Sequence, residues 1–444
     1  MREAGATRAR SLSQSVAGFR KTFSSLSNRN FRLFWTGQLV SQVGTWMQNV
    51  AQAWLVLQLT HSSIALGTVT ALQTLPILFV VLFAGVVVDR LPKRRILYVT
   101  QIISLLQAGV LAALTATGEV QDWHVYILAL LLGVVNAFDQ PTRQAFVVEL
   151  VGREHLVNAV GLNSAQYSTA RLVGPALAGL SIAAFGIAAC FLLNAISFVA
   201  VLISLTFLRS AEFRRSQAPR SRVAVFSELR EGVRFLLSKR ELTIAIIVLL
   251  GNGAFVYSTS TIIPLIAEDA LHVGASEFGL LVSAVGVGSL FASLVIASRA
   301  RASEKTFLIA AACFGILYLS MAVIPWFLLA FVVLVLVGAA IQVFGTSVNS
   351  LLQLNSPDQL RGRVMSVFTL LTNGIQPAGS LLNGVVTAAA GVQLTVAVEA
   401  CICLTALVAA LVYRARTAPG PVVLLPEQPV SQVHADPQIR TISS

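Results

Sequence analysis

The feature that most constrains this chain is a succession of long apolar runs between residues 31 and 413, joined by short loops that alternate between strongly basic and free of Lys and Arg. The runs fall at 31–57, 64–88, 96–114, 124–141, 156–184, 187–208, 242–267, 278–298, 306–324, 326–354, 364–389 and 392–413. Each is close to the length of about 20 residues that a helix needs to cross a hydrocarbon core of about 30 Å. The apolar residues are continuous and do not alternate with period two, which argues for helices and against a β-barrel. Charged residues make up 11% of the chain, against about 25% in soluble domains. The sequence therefore predicts an all-α polytopic membrane protein with twelve transmembrane helices in two pseudo-symmetric six-helix bundles.

The loop after the second run, Asp89 Arg90 Leu91 Pro92 Lys93 Arg94 Arg95, is too short to be more than a tight hairpin. Its basic groups assign it to the cytoplasmic side, because Lys and Arg accumulate in short inside loops. Of the 31 Lys and Arg residues, all except Arg171 then fall in or beside segments that the alternation places inside. The opposite loops, 58–63, 117–123 and 268–276, carry Glu119, Asp122, Glu268 and Asp269 instead. Both termini are expected in the cytoplasm of a bacterial cell, with the chain in its inner (plasma) membrane.

This layout divides the chain into a basic cytoplasmic arm (1–30), a first bundle (31–208), a cytoplasmic linker (209–241), a second bundle (242–413) and a Pro-rich tail (414–444) whose composition predicts disorder. In the linker, Phe226, Leu229, Val233, Leu236 and Leu237 recur at helical spacing among basic residues, the pattern of an interfacial amphipathic helix or of a solvated linker helix. The net charge of +12 is distributed as expected for anionic headgroups, not for nucleic acid. Cys190, Cys313, Cys401 and Cys403 lie in apolar runs and suggest neither disulfides nor a metal site. No phosphate-cradling GxxxxGK[ST] loop occurs, so ATP is not expected to act on this chain directly, and neither a cofactor nor catalysis is expected. A faint repeat aligns 149–156 with 353–360, after which Pro175 and Pro377 fall at similar distances into the next runs. Parallel six-helix halves with a binding site between them are one transporter plan.

Polar residues mark the helices that see water. Gln38, Gln42, Thr45, Asn49 and Gln52 step by four and three residues along one face of the first run. Gln342, Thr346, Asn349 and Gln353 repeat the pattern in the tenth run, and Thr369, Thr372, Asn373 and Gln376 in the eleventh. Such faces line a cavity or act as polar glue between helices. Arg171 and Glu399 sit well inside their runs, and Asp139 lies near the cytoplasmic end of the fourth. Ionisable groups are costly there and are read as candidates for coupling or substrate contact. Polar Asn163, Gln166 and Tyr167 accompany Arg171.

Gly85, Asp89, Arg90, Lys93, Arg94 and Arg95 resemble the loop motif of the major facilitator superfamily, and the resemblance covers 31–413. It implies a cytoplasmic latch in which Asp89 meets the start of the eleventh helix, near 361–364, and Arg143. Pro92 stands where the motif has Gly, and 299–305 lacks both the Gly and the Asp, so the turn must differ and a latch would be asymmetric. Gly161, Ala170, Gly174, Pro175, Ala178 and Gly179 are similar to the antiporter motif of drug exporters, with Ala at two Gly positions; a tight helix contact gives the same pattern. The phrases at 139–146 and 361–366 resemble the branch that includes the enterobactin exporter.

The resemblance implies a secondary transporter that works as a monomer and uses a proton gradient to export a small organic molecule, siderophore or drug-like. Uptake by the same fold and a non-transporting sensor or scaffold are the alternatives. The topology is open to direct test. A reporter fused after Ser62 is expected to behave as external and one after Gln217 as internal, and the reverse pattern would overturn the assignment.

Overall fold

A computed structural model describes residues 24–152, 154–213, 225–256, 259–299 and 303–417; within these, the side chains of 81–86, 89, 225–228, 254–256, 297–299 and 358–359 are not described. The expected arm up to residue 23, the linker core at 214–224, most of the tail, the Asp89 side chain and the surroundings of Gly85 thus lie outside the described part.

All regular structure in the described residues is helical. The first helices are α1 (Arg29–Thr60), α2 (Ser63–Arg90), α3 (Lys93–Thr117), α4 (Asp122–Val151), α5 (Leu156–Phe185) and α6 (Ile187–Thr206). After the linker come α7 (Val225–Ser238), α8 (Arg240–Val256), α9 (Thr259–Leu265), α10 (Ala275–Arg299), α11 (Glu304–Met321), α12 (Phe327–Leu354), α13 (Asp358–Asn373), α14 (Gln376–Ala390) and α15 (Val392–Arg416). Local chemistry sets the boundaries. Asn28, Ser62 and Ser303 accept N-terminal backbone hydrogen bonds at α1, α2 and α11. Gly118, at φ 76°, ends α3 in the left-handed region. Pro92 at φ −61° caps α3, so the hairpin turns through extended backbone with no need of the Gly that the motif has. Pro141 does not end α4 as expected. The helix continues to Val151, since bundle neighbours can satisfy the group a proline frees.

Polarity runs inside out. On α3 the exposed face is Val99, Ile102, Leu106 and Val110, while Thr100, Gln101, Ser104 and Gln107 are buried. That arrangement suits a hydrocarbon solvent and not water. Among the described residues nine helices are long and apolar enough to cross a membrane. Three of the expected runs fall short, for separate reasons. Polar residues crowd α1, the seventh run is described as α8 and the short α9 with 257–258 between them outside the described residues, and the eleventh run is split into α13 and α14 at Gly374 and Ile375. The repeat is therefore imperfect: Pro175 lies within a continuous helix, whereas Pro377 starts α14 after the break.

One end of the molecule carries Arg90, Lys93, Arg361 and Arg414, and the other carries Glu119, Asp122 and Glu268; we call them the basic and acidic ends. At the acidic end a single apolar core runs through both sequence halves, from Met47, Trp54 and Leu66 to Phe278, Leu281 and Val396. Trp54 of α1 stacks on Phe278 of α10 with ring centroids 5.5 Å apart. At the basic end there are two separate cores, one built on Phe31, Phe146 and Leu205, the other on Leu242, Phe307 and Leu352. Among the described side chains the halves are thus joined at one end and their cores parted at the other.

Two helix seams make the joint, α5 against α10 and α2 against α14. A Cβ on Gly279 would stand 2.6 Å from the Pro175 carbonyl oxygen and 2.8 Å from the Gly179 Cα. On the second seam the Ser63 hydroxyl donates to the Gly384 carbonyl oxygen at 2.9 Å. Small residues allow this approach, which dispersion and backbone polarity reward when water is absent.

The linker segment forms a helix, α7, whose apolar face is divided. Leu236 is fully buried, and Leu229 and Phe235 join the basic-end core of the second half, whereas Val233 and Leu237 stay exposed. Glu231 pairs with Arg363 of α13 at 2.6 Å, which ties α7 to the polar half of the broken helix.

Gly279→Ala is expected to destabilise the protein by about 1–3 kcal/mol, the usual cost of overpacking. Gly161→Ala meets nothing within 4 Å and should cost nothing. Thermal unfolding of the two variants in detergent checks the contrast.

Candidate functional site

Between the parted cores lies a cavity of about 740 Å³ lined from both halves. The polar face of α1 forms one wall: Gln38, Gln42, Thr45, Asn49 and Gln52 all reach it. Gln342, Thr346 and Asn349 of α12 stand across from them, and Asn373 and Gln376 border it at the break between α13 and α14. Gln353 does not line it; it is exposed near the basic end and donates to Asn349 Oδ1 at 2.5 Å. Thr369 and Thr372 donate to carbonyls of their own helix and stay out of the lining.

Sequence reasoning missed several lining groups, among them Thr70, Gln73 and Thr74 of α2, Gln101 of α3 and Asn136 of α4. Their signal was present in short form, since Thr70, Gln73 and Thr74 sit three and four residues apart on one face. A second polar set lies behind α1, where Gln48 donates to Gln107 Oε1 at 3.1 Å, and Asn194, which also borders the cavity, donates to Gln48 Oε1 at 2.7 Å. That set is interhelical glue.

Three charged side chains line the cavity: Asp139, Arg143 and Arg171. Asp139 is 4% exposed and has not been drawn out to the interface. Its Oδ1 accepts from Thr100 Oγ1 at 2.8 Å and Gln101 Nε2 at 3.0 Å, and its Oδ2 meets Arg143 Nε at 2.7 Å. Arg143 also donates to Gln38 Oε1 at 3.0 Å. In this conformation Arg143 is therefore engaged along its own helix and on α1. Two basic residues of the hairpin are likewise in use: Lys93 pairs with Glu149 at 3.0 Å, and Arg94 donates to Ser210 Oγ at 2.6 Å and the Thr206 carbonyl at 3.3 Å. Arg90 is exposed.

Arg171 is left as the cavity's uncompensated charge, with no ion pair or hydrogen bond to a described residue. Its guanidinium lies 5.8 Å from the ring centroid of Trp46, which Tyr167 meets edge-on at 5.8 Å. A cation over an indole face gains about 0.5–2 kcal/mol, which orients the group without discharging it. Gln38 Nε2 and Gln52 Nε2, far apart on the α1 stripe, are buried without a partner among the described residues. Arg171, Trp46 and Tyr167 together can receive an oxygen-rich or anionic molecule with an aromatic face.

In the antiporter-like motif, Ala170, Gly174, Pro175 and Gly179 are buried at the contacts of α5 with α1 and α10. Gly161 is exposed and takes no part in a close approach. Glu399 lies outside the cavity, 2% exposed, with Tyr318 Oη donating to its Oε2 at 2.6 Å. A molecule in the cavity cannot touch it. The described residues contain no cluster of His, Cys, Asp and Glu fit to hold a metal.

A family profile described as transmembrane secretion effector matches residues 20–433. A staphyloferrin A transporter of Staphylococcus aureus is 26% identical over 84% of this chain and 94% of its own. A multidrug efflux pump, Tap, of Mycolicibacterium fortuitum is 29% identical over 80% of this chain and 89% of its own. Among solved structures, nucleoside transporter NupG superposes with TM-score 0.71 at 14% identity, covering 87% of this chain and all of that one (100%). A bacterial homolog of the human lysosomal transporter Spinster, solved inward-facing and unoccupied, gives 0.66 at 13% identity over 88% of this chain and 98% of that one.

The Asp139–Arg143 pair sets up a double-mutant test. Arg143→Gln strands a buried carboxylate and is expected to cost on the order of 3 kcal/mol, whereas Asp139→Asn with Arg143→Gln recovers part of the loss because no unpaired charge remains. Thermal unfolding of the single and double variants measures the difference.

Proposed function

Because the chain belongs to the transmembrane secretion effector family of the major facilitator superfamily, whose members here are transporters, we propose that it exports a small organic anion, siderophore or drug-like, in exchange for protons. The observation that carries this reading is the cavity itself: amide-rich walls from both halves, one uncompensated cation, and separation of the cores at the basic end alone.

On this reading the twelve spans form two six-helix bundles, 31–208 and 242–413, around the cavity, and the linker 209–241 lies on the cytoplasmic side of the inner membrane. The basic end is cytoplasmic by the positive-inside rule, so the described conformation offers its cavity to the cytoplasm, as loading of an exported compound requires. The small organic molecule is the partner, the bilayer's anionic headgroups hold the basic segments, and one chain suffices. No cofactor takes part, since the proton gradient supplies the energy. When the cytoplasmic side closes, the Asp89 loop meets the start of α13.

Asp139 is the coupling carboxylate at the cavity. Arg143, Thr100 and Gln101 hold it, and a proton arriving there would release Arg143 to a substrate anion or to the closing loop. Proton and substrate then compete through one guanidinium, which is the minimum requirement for exchange. Arg171 with Trp46 and Tyr167 supplies a second contact for the negative, flat part of the substrate. A relative that carries staphyloferrin A and others that expel several drugs support this choice between siderophore and drug-like cargo.

Inside-out vesicles with an imposed pH gradient provide the test. Accumulation of an anionic aromatic compound is expected, and Arg171→Gln should lower its initial rate about tenfold or more while neutral compounds lose less. Release in place of accumulation would reverse the direction. Equal loss for every charge class would make Arg171 structural.

A further inference from the structure

The second half buries a polar group that the cavity does not use. Glu399 of α15 receives the Tyr318 hydroxyl of α11 on Oε2, and its Oε1 meets no donor among the described residues. Asn383 of α14 faces the carboxylate, yet both of its carboxamide atoms are buried and unpartnered, as is Ser380 Oγ one turn earlier. Cys403, one turn along α15, is the other titratable neighbour. No Lys, Arg or His of the described residues pairs with Glu399.

A buried carboxylate with one close donor and no cation among the described residues is costly as an ion. As a neutral acid it fits: Tyr318 donates to one oxygen, and the proton on the other can be given to Asn383 Oδ1. The set is poorly suited to a metal ion, because hard cations collect about six or more oxygen ligands, several of them charged.

The helix that carries Asn383 also makes the acidic-end seal. On one face α14 presents Asn383 to Glu399, and Thr387 donates to Thr395 Oγ1 of α15 at 3.0 Å. On the other it offers the Ser380 and Gly384 backbone to α2, where Gly67 leaves no room for a Cβ and Ser63 donates to the Gly384 carbonyl. We propose that Glu399, Tyr318 and Asn383 form a proton-binding site, separate from the substrate cavity, whose occupancy decides whether α14 stays pressed on α2 and the acidic end stays sealed.

The proton balance is simple. The acid loses H⁺ to water and becomes a carboxylate that needs further donors, which only entering water or a turned Asn383 can supply. Space for water between α11, α14 and α15 requires α14 to give way, and it cannot while Gly384 is held against Ser63 and Ile64. The protonated site therefore belongs to the sealed conformation, and ionisation favours opening at the acidic end. For the exchanger proposed above, on whose reading this site rests, a proton taken from outside resets the carrier to face the cytoplasm.

The test uses the full chain in lipid nanodiscs with no substrate and no gradient, so its outcome is independent of whether export occurs. Spin labels at Ile64→Cys and Ala389→Cys, with the exposed Cys313 and Cys401 replaced by Ser, report the α2–α14 separation. The sealed population should fall as pH rises from about 5 to about 9, by at most about tenfold per pH unit for one proton. Glu399→Gln, which keeps the acceptor for Tyr318 but not the ionisation, should remain sealed throughout. Tyr318→Phe should move the midpoint, and it decides the matter if Glu399→Gln does not fold. The proposal is overturned if the parent shows no transition, if Tyr318→Phe leaves the midpoint unchanged, or if the transition survives in Glu399→Gln. It is equally overturned if exchanging Na⁺ for choline at fixed pH moves the distances.

Discussion

Close backbone approach at the acidic end is the constraint on which the remaining architecture depends. Without a hydrophobic force between helices in lipid, two halves of such a chain are held by packing and by polar contacts that cannot be traded for water. Here the seams α5–α10 and α2–α14 supply both, through Gly179, Gly279, Gly67 and Gly384 and through the Ser63 hydroxyl. The stacked Trp54 and Phe278 extend the joint across the middle. Because the halves are fastened at that end, the parted cores at the other end leave a cavity and do not separate the molecule.

The cavity shows the complementary rule. Its walls are mostly amides and hydroxyls, groups that can be buried without ionising and can turn to donate or accept. Its charges are few, and two of the three neutralise each other. A surface of this kind fits many oxygen-bearing molecules moderately well and one charge class better than the rest. Selectivity of that sort needs no rigid pocket, and transport is better served by moderate binding, since the cargo must leave again.

Much of this was legible in the sequence, and the reasons are physical. A stripe of glutamines at helical spacing in an apolar run has few places to go, and all five α1 residues of the stripe reach the cavity. The small residues Ala170, Gly174 and Ala178 on α5 announced a tight contact, which Gly174 makes with α1 and the adjoining Gly179 makes with α10. What periodicity could not show was partnership. Asp139 and Arg143 are four residues apart, a spacing any helix brings together, yet the loop motif drew attention to a distant partner. Glu399 was a candidate for coupling or substrate contact because ionisable residues in apolar runs are rare, but rarity does not tell which neighbour a helix face meets. The break at Gly374 and Ile375 was hidden because hydropathy sees composition and not backbone, and the docking of α7 because an apolar face does not name its counterpart.

The salt bridges of the hairpin carry one more implication. Lys93 and Arg94 are bound to Glu149, Ser210 and Thr206 in the folded protein, so charges that the positive-inside rule reads as topology signals also serve as joints between α3, α4 and the end of α6. Removing either charge loosens a joint as well, and the two effects cannot be varied separately at those two positions. Arg95, exposed on the same turn, is where charge can be removed to ask about orientation alone.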